Sequence, residues 1–251
     1  MLGWCANMKY EKICLMVPTY KRVPRLMSFI NSAVSTADDF SRLLFCFCVN
    51  ERDADTRMVL EHWGNDNNRE VILENTIQPN LALYFNKMYA ETKFKDAVVT
   101  ELGDDMAFRS KGWDTRVLNT INAEDGKAIV YFNDNYVAQE KCCVNLFTTR
   151  KMVEATKKPF MCEFFHADMI DMVWTMVGAM TGTLRYQGDM IIEHNHASKQ
   201  DQKQWDETFK RLRPVQVAAN APANQKLAVC YATLCAKNLI EAGVGRWNTL
   251  S

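Results

Sequence analysis

Short apolar runs alternate with segments of helical spacing along the first half of the chain. Four runs are almost entirely apolar and end at polar or turn residues, which is typical of buried strands. These runs are Ile13–Val17, Leu43–Val49, Val71–Leu73 and Ala97–Thr100. Between them, apolar positions recur at helical spacing and predict helices. Strands that alternate with helices predict an α/β fold built on a mostly parallel, doubly wound sheet.

The predicted helices of this half carry recognisable start signals. The first spans Arg22–Ser35 and has Pro24 in its first turn, where proline is well tolerated. Asp55 is the expected N-cap of the second helix, which continues to Trp63. Asn80 is the expected N-cap of the third. Each helix is therefore expected to begin just after a strand has ended.

The second half, after Trp113, has a less regular pattern. The predicted strands are Ala128–Phe132, Val144–Phe147 and Met190–Ile192. The predicted helices are Thr149–Thr156, Ala167–Ala179 and Pro222 to about Ala242, the last one stopped by Gly243. A strongly polar stretch from Ala197 to Arg213 separates the last strand from the last helix.

Composition and charge narrow the class of protein. The 251 residues contain 30 Lys and Arg against 30 Asp and Glu, so no global field draws the chain to nucleic acid or to a membrane surface. We expect no membrane span, because no apolar run has the required length. The nine cysteines form no CxxC pair and no zinc spacing. Reduced, buried thiols in a cytoplasmic protein are the expected state.

The turn after the fourth predicted strand carries two adjacent carboxylates, Asp104 and Asp105, preceded by Gly103. Two such charges about 4 Å apart repel by roughly 4 kcal/mol at an effective dielectric constant of ~20. A divalent cation with a preference for oxygen ligands, Mg²⁺ or Mn²⁺, would remove that repulsion. The alternative is a plain polar turn in which one aspartate caps the next helix.

In an open α/β sheet, ligands bind beyond the carboxyl ends of the strands. The loops after the first, second and fourth predicted strands are therefore expected to converge on one edge. These loops contain Thr19-Tyr20, Asn50–Asp53 and Asp104-Asp105.

Five short motifs, taken in chain order, resemble the landmarks of one enzyme family. They are Val17–Arg22, Asn80–Ala82 with Asn86, Gly103–Met106 followed by Gly112–Asp114, His166–Asp168 with Asp171, and Ile192–His196. With these motifs the chain is similar to GT-A glycosyltransferases, and specifically to family 2-like nucleotide-sugar transferases of small phage or bacterial type. In that family the third motif is the DXD region, here in its Gly-Asp-Asp form.

The resemblance implies a Rossmann-like, mostly parallel sheet flanked by helices, with an acceptor-side segment and a C-terminal helix. It divides the chain into a nucleotide-sugar-binding half at 1–110, an acceptor-side half of the same domain at 111–198, and a polar lid or linker with the C-terminal helix at 199–251. Two positions depart from the family pattern. Met106 stands where a third acid is common, and Ala167 precedes Asp168 where Glu-Asp is common.

For the donor site, the resemblance implies that Tyr20 stacks on a base, with uracil suggested, and that Glu51 or Asp53 accepts hydrogen bonds from its edge. Asp104 would contact the ribose or a metal-bound water. A solvated loop is the simpler interpretation of Glu51 and Asp53. The full set of implied donor-binding residues is Pro18, Thr19, Tyr20, Arg22, Glu51, Asp53, Asn86 and Asp104.

For the metal site, the resemblance implies Asp105 as the direct ligand of manganese or magnesium, with His196 or His194 completing the site. One of the two histidines is expected not to bind the metal and to be an ordinary hydrogen-bonded or solvent-facing side chain. His194 is expected to be that histidine.

For catalysis with inversion, a base must take the proton of the acceptor hydroxyl. Asp168 is the candidate, and Asp171 is the alternate because it lies one turn further along the same helix face. The alternative role for both is stabilisation of a helix N-terminus by about 0.3–1 kcal/mol.

The partners implied are a nucleotide-diphospho-sugar donor and an acceptor that is a glycan or a hydroxymethylated DNA base. The basic segment 199–213 is interpreted as a solvated helix, a lid over the diphosphate, or an acceptor surface. Two other classes stay open: a nucleotidyltransferase, and a non-catalytic nucleotide-sugar-binding module. The first is disfavoured because Pro18–Arg22 contains no glycine.

Overall fold

The computed structural model describes residues 9–64, 68–75, 80–136, 138–165, 168–195 and 222–248. Its strands are β1 (Ile13–Thr19), β2 (Leu43–Asn50), β3 (Arg69–Glu74), β4 (Val98–Glu101), β5 (Met106–Phe108), β6 (Ile129–Asn133), β7 (Leu146–Thr149) and β8 (Leu184–His194). Its α-helices are α1 (Val23–Thr36), α2 (Ala54–His62), α3 (Leu81–Glu91), α4 (Trp113–Ala123), α5 (Arg150–Ala155), α6 (Asp168–Thr181) and α7 (Pro222–Glu241).

The strands form one mixed sheet in the order β3-β2-β1-β4-β7-β6-β8-β5. Pairing is parallel from β3 through β4 and again between β6 and β8. The strand β7 is antiparallel to β4 and β6, and β5 is antiparallel to β8. The α/β class with a mostly parallel sheet is therefore confirmed.

Alternation along the strands divides the core into two layers, one on each face of the sheet. In β1, Ile13, Leu15 and Val17 enter one layer, while Cys14 and Met16 enter the other. Side chains of a strand point alternately to opposite faces, so a strand that is apolar at every position must be covered on both. The first layer includes apolar residues of α1 and α4, and the second includes those of α3, α5, α6 and α7.

Two elements of the structure were not predicted from the pattern. The strand β5 has only three residues and follows the acidic turn directly. The helix α4 begins after Gly112, which has a φ of 77° and supplies no side-chain cap. The strand β5 is too short to show a repeat in the sequence. The helix α4 lacks the side-chain N-cap that would have marked its start.

The expected cap of the second helix was wrong by two residues. Asp53, not Asp55, caps α2, because an oxygen of Asp53 accepts a hydrogen bond from the amide of Thr56. Asp55 lies in the first turn. The Asn80 cap of α3 is confirmed, with its Oδ1 accepting from the amide of Ala82. None of the described helices is both long enough and apolar enough to cross a membrane.

Candidate active site at the carboxyl edge of the sheet

The loops after β1, β2 and β4 meet at one edge of the sheet. The strand β1 pairs in parallel with both β2 and β4, so the carboxyl ends of all three lie together. The hydroxyl of Thr19 donates to Oδ2 of Asp104 at 2.8 Å, which joins the first loop to the third. The amide of Lys21 donates to Oδ2 of Asp53 at 2.6 Å, which joins the first loop to the second. The three loops therefore converge at one edge of the sheet, as predicted, and these hydrogen bonds connect them.

Asp104 is a buried carboxylate held from two sides. Besides the hydrogen bond from Thr19, it receives one from Nη1 of Arg22 at 2.9 Å. Burial raises the pKa of Asp104 to about 6, because the charge of Arg22 and the hydrogen bonds from Thr19 and Arg22 lower it only in part and the charge of Asp105 raises it further. Arg22 is itself largely buried, with a side chain that is 12% exposed. The pair therefore depends on mutual compensation of charge.

We expect Arg22→Ala to reduce the free energy of unfolding by about 3 kcal/mol near pH 8, because it leaves Asp104 buried without its cation. The loss should be smaller near pH 5, because the uncompensated carboxyl can then take up a proton. Urea unfolding at both pH values measures the effect. Arg116→Ala is the matched control, since the Arg116–Asp189 pair is 43% and 63% exposed and should contribute less than about 1 kcal/mol. Equal losses in the two variants would contradict the prediction.

Asp105 lies beside His194, and the sheet explains why. The strand β5 begins at Met106 directly opposite His194 in β8, and the amide of Asn195 donates to the backbone oxygen of Asp105 at 2.9 Å. These contacts leave Oδ1 of Asp105 3.6 Å from Nε2 of His194. Gly103 makes room for that carboxylate, because a Cβ at this position would lie 2.5 Å from Oδ1 of Asp105.

The surroundings of His194 are strongly negative. Burial alone would lower the pKa of His194, but the hydrogen bond and charge of Asp105, together with the charges of Asp171 and Asp134, raise it above its usual value. A field that holds a proton on an imidazole also favours a metal cation in its place. Of the two histidines considered from the sequence, His194 is the one seen beside Asp105. His196 lies outside the described residues.

The donor set at this point fits a divalent cation. Two ligands of one ion at about 2.1 Å each can be no more than about 4.2 Å apart, and Asp105 and His194 meet that limit at 3.6 Å. The described residues assemble no group of three such protein ligands. A cation held by one or two protein groups plus substrate phosphates is the common arrangement for Mg²⁺.

Glu101 and Asp171 form a second pair of neighbouring carboxyl groups. Glu101, the last residue of β4, is 7% exposed, and its Oε2 has no hydrogen-bond partner among the described residues. Burial, and then the charge and hydrogen bond of Asp171, raise the pKa of Glu101 well above its usual value. The raised pKa favours the protonated form of Glu101, which lies within hydrogen-bonding reach of Asp171 in α6. This contact places the first turn of α6 at the end of β4.

We expect Glu101→Gln to make the protein less sensitive to rising pH. A carboxyl with a raised pKa binds more protons in the folded than in the unfolded state. The free energy of unfolding therefore falls as the pH rises above 4.5, the ordinary pKa of a glutamate carboxyl. The slope contributed by one such group is up to about 1.4 kcal/mol per pH unit. Glutamine keeps a hydrogen-bond donor toward Asp171 without a titrating proton.

Urea unfolding from pH 5 to 8 tests this prediction. The stability advantage of Glu101→Gln over the natural chain should grow with pH. Glu61→Gln, at a side chain that is 63% exposed, should run parallel to the natural chain. A constant difference between Glu101→Gln and the natural chain would contradict the prediction.

The remaining residues predicted from the sequence to belong to the site lie in several different elements. Pro18, near the end of β1, and Tyr20, just after it, are half-buried, and Glu51 is exposed after β2. The oxygens of Asp53 are occupied by the α2 cap and by Lys21. The amide of Asn86 binds the backbone of Met161 in both directions. Asp168 is the first residue of α6.

Glu101 was missed because sequence reasoning treated it as the end of an apolar strand. Its one signal is that it is the only charged residue between Ala97 and Gly103. A carboxylate in such a run must find a partner or remain protonated when it is buried.

Comparisons with known proteins place the fold. No protein-family model matches the chain, and no curated protein matches its sequence. Among solved structures, residues 1–349 of S. aureus TarS match with a TM-score of 0.60 at 11% identity, covering 92% of this chain and 72% of that one. The same TarS segment in complex with UDP-GlcNAc matches at 0.58 and 12% identity, covering 92% and 73%.

A mannosyltransferase, PcManGT from Pyrobaculum calidifontis, in complex with GDP-Man and Mn²⁺, matches with a TM-score of 0.57 at 15% identity. The match covers 96% of this chain and 77% of that one. At these identities the likeness establishes the fold. The chain has the GT-A fold that the motifs indicated.

Proposed function

We propose that this chain is a metal-dependent glycosyltransferase that moves a sugar from a nucleotide-diphospho-sugar, a UDP-sugar, to an acceptor hydroxyl with inversion. The observation that carries the proposal is the placement of Asp105 beside His194 at the carboxyl edge of a GT-A sheet. Nucleotide-sugar complexes of the structural neighbours, with UDP-GlcNAc in one and GDP-Man and Mn²⁺ in another, support this donor class.

The donor nucleoside would bind where the loops after β1 and β2 face each other. A cleft of about 470 Å³ opens there, lined by Lys21, Arg52, Asp53 and Asp55 among others. That volume is within the range of small-molecule sites. Tyr20 and Glu51 immediately precede the lining residues Lys21 and Arg52 in sequence. We assign Tyr20 and Pro18 to the base, and Thr19 and Glu51 to the base and the ribose. The oxygens of Asp53 already accept hydrogen bonds from Lys21 and Thr56. Asp53 would therefore act indirectly, by fixing the conformation of the loop after β1.

Asp105 and His194 would hold Mn²⁺ or Mg²⁺. When bound, the cation supplies a Lewis acid that neutralises the charge developing on the leaving diphosphate. Asp104, fixed by Thr19 and Arg22, keeps a second carboxylate next to Asp105. Arg22, held against Asp104, would also add a positive charge near the diphosphate. These residues together would orient the donor before transfer.

Asp168 would accept the proton of the acceptor hydroxyl as that oxygen attacks the anomeric carbon. Asp171, one turn further into α6, is the second candidate base. Its contact with Glu101 places this turn of the helix at the end of β4, beside the proposed donor site. In this assignment residues 1–110 would bind the donor, 111–198 would form the acceptor side, and 199–251 would supply a lid or linker and the C-terminal helix. The segment expected to be the lid or linker, up to residue 221, lies outside the described residues.

Hydrolysis of nucleotide sugars in the absence of acceptor tests the proposed activity. UDP-, GDP- and TDP-sugars are incubated with the full chain and Mn²⁺, and the released nucleotide is measured by mass spectrometry. We expect slow release from a UDP-sugar that stops when the metal is chelated. No metal-dependent release from any donor would contradict the enzymatic proposal and favour a binding module.

A further inference from the structure

Phe164 is the most exposed large hydrophobic side chain in the part of the chain that the structure describes. It is 73% exposed, against 42% for Phe40, the only other phenylalanine in that exposed group. The residues that flank the exposed pair Glu163-Phe164 are buried: Cys162 is 2% exposed and Phe165 is fully buried. The ring therefore projects from a segment that is otherwise anchored in the core.

The segment that carries Phe164 is fixed by hydrogen bonds from α3. The side-chain amide of Asn80 donates to the backbone oxygen of Glu163 at 2.8 Å. Asn86 donates to the backbone oxygen of Met161 at 2.9 Å and accepts from its amide at 2.8 Å. Asn86 also donates to the carboxylate of Glu163 at 2.9 Å. Together with the hydrogen bond from the amide of Phe165 to the backbone oxygen of Cys162 at 3.1 Å, these contacts hold the backbone on either side of the exposed ring. Little conformational entropy therefore remains to be lost when a ligand binds.

The fixed segment lies at the acceptor side of the proposed active site. It contacts α3 at the Asn80 cap, close behind the carboxyl end of β3. It also leads into α6, whose first turn meets the end of β4 through Asp171 and Glu101. Phe164 precedes Asp168, the proposed base, by four residues. The contact of this segment with the Asn80 cap and its closeness in sequence to Asp168 are the grounds for placing the exposed ring beside the proposed base.

The charge around this stretch favours an uncharged ligand. Between Lys158, whose charge reaches Cys162, and Arg185, the chain has no lysine or arginine, and it contains the acids Glu163, Asp168 and Asp171. A polyanion such as DNA depends on lysine and arginine beside its phosphates. Carboxylates instead suit hydroxyl groups, to which they are strong hydrogen-bond acceptors. An aromatic face flanked by carboxylates fits a sugar, which offers C–H groups on one face of its ring and hydroxyls around its edge.

We propose that Phe164 is the platform on which the acceptor stacks, and that the acceptor is a neutral carbohydrate. The inference rests on the proposed glycosyl transfer and deepens it by assigning the acceptor class. Glu163, the residue before Phe164, would offer the hydroxyls of the stacked sugar its second carboxylate oxygen, since Oε1 accepts from Asn86. Asn80 and Asn86 act as positioning residues, because they reach the acceptor only through the segment they hold.

Binding of neutral trisaccharides to the full chain tests the proposal. Cellotriose, maltotriose and chitotriose are titrated in the presence of UDP and Mn²⁺, and their dissociation constants are measured by ligand-observed NMR. We expect at least one to bind, and Phe164→Leu to weaken that binding by about tenfold. Phe164→Trp should retain it. Phe40→Leu is the matched control and should leave it unchanged.

Three results would overturn the proposal: unchanged carbohydrate binding in Phe164→Leu, no binding of any trisaccharide, or binding of an oligothymidylate in their place. Thermal unfolding of the natural chain with UDP and Mn²⁺ distinguishes failure of the acceptor assignment from failure of the proposed glycosyl transfer. If the donor nucleotide stabilises the protein and the trisaccharides fail, only the acceptor assignment is lost. If the nucleotide also fails, the glycosyl-transfer proposal itself is contradicted.

Discussion

Asp105→Ala is expected to abolish sugar transfer while the chain remains folded. A loss of more than about 10³-fold in rate corresponds to about 4 kcal/mol of transition-state stabilisation, which is the scale on which charge stabilisation of a leaving group operates. The fold should survive, because the sheet contact at this position uses the backbone oxygen of Asp105 and not its side chain. Product formation from a UDP-sugar measures the effect, with circular dichroism and thermal unfolding as checks on folding.

Asp189→Ala provides the matched control for this variant. Asp189 lies in β8, the strand that carries His194, but its side chain is 63% exposed and pairs with the half-exposed Arg116. We expect it to retain full activity. Full activity in Asp105→Ala as well would remove Asp105 from the metal assignment.

Asp168→Asn is expected to lower turnover by about 10²- to 10⁴-fold without weakening donor binding, because the amide cannot take the proton of the acceptor hydroxyl. Donor affinity, measured as stabilisation by UDP and Mn²⁺, should match that of the natural chain. The separation of turnover from donor affinity distinguishes a base from a residue that helps to build the donor site.

Asp171→Asn is the comparison for this second variant. If Asp168 is the base, Asp171→Asn should reduce turnover less than Asp168→Asn does, since its contact with Glu101 is structural. Unchanged turnover in Asp168→Asn would contradict the assignment, and it would transfer the role to Asp171 or require a retaining mechanism.

Much of the fold could be predicted because both faces of the sheet are covered. A strand such as β1, buried on both sides, must be apolar at consecutive positions, and that run is visible in the sequence. The helices between such strands carry one apolar stripe each. The strand β5 could not be found this way, because three residues are too few to show a period. Its existence depends on pairing with β8, which is distant in sequence.

The site was predictable in outline and less so in its individual contacts. Convergence of the loops after β1, β2 and β4 follows from parallel topology alone. The choice between Asp53 and Asp55 as a helix cap depends on two residues of register. The selection of His194 beside Asp105 depends on the register of β5 against β8. The Glu101–Asp171 contact depends on how α6 packs on the sheet, which no local pattern encodes.

The central claim is that Asp105 and His194 hold a cation on which nucleotide binding depends. Calorimetric titration of UDP into the full chain, with Mn²⁺ and with chelator, tests it most directly when repeated for Asp105→Asn and His194→Gln. We expect binding that requires Mn²⁺ in the natural chain and falls sharply in both variants. Binding of equal affinity with and without the metal, or binding unaffected by either substitution, would contradict the account.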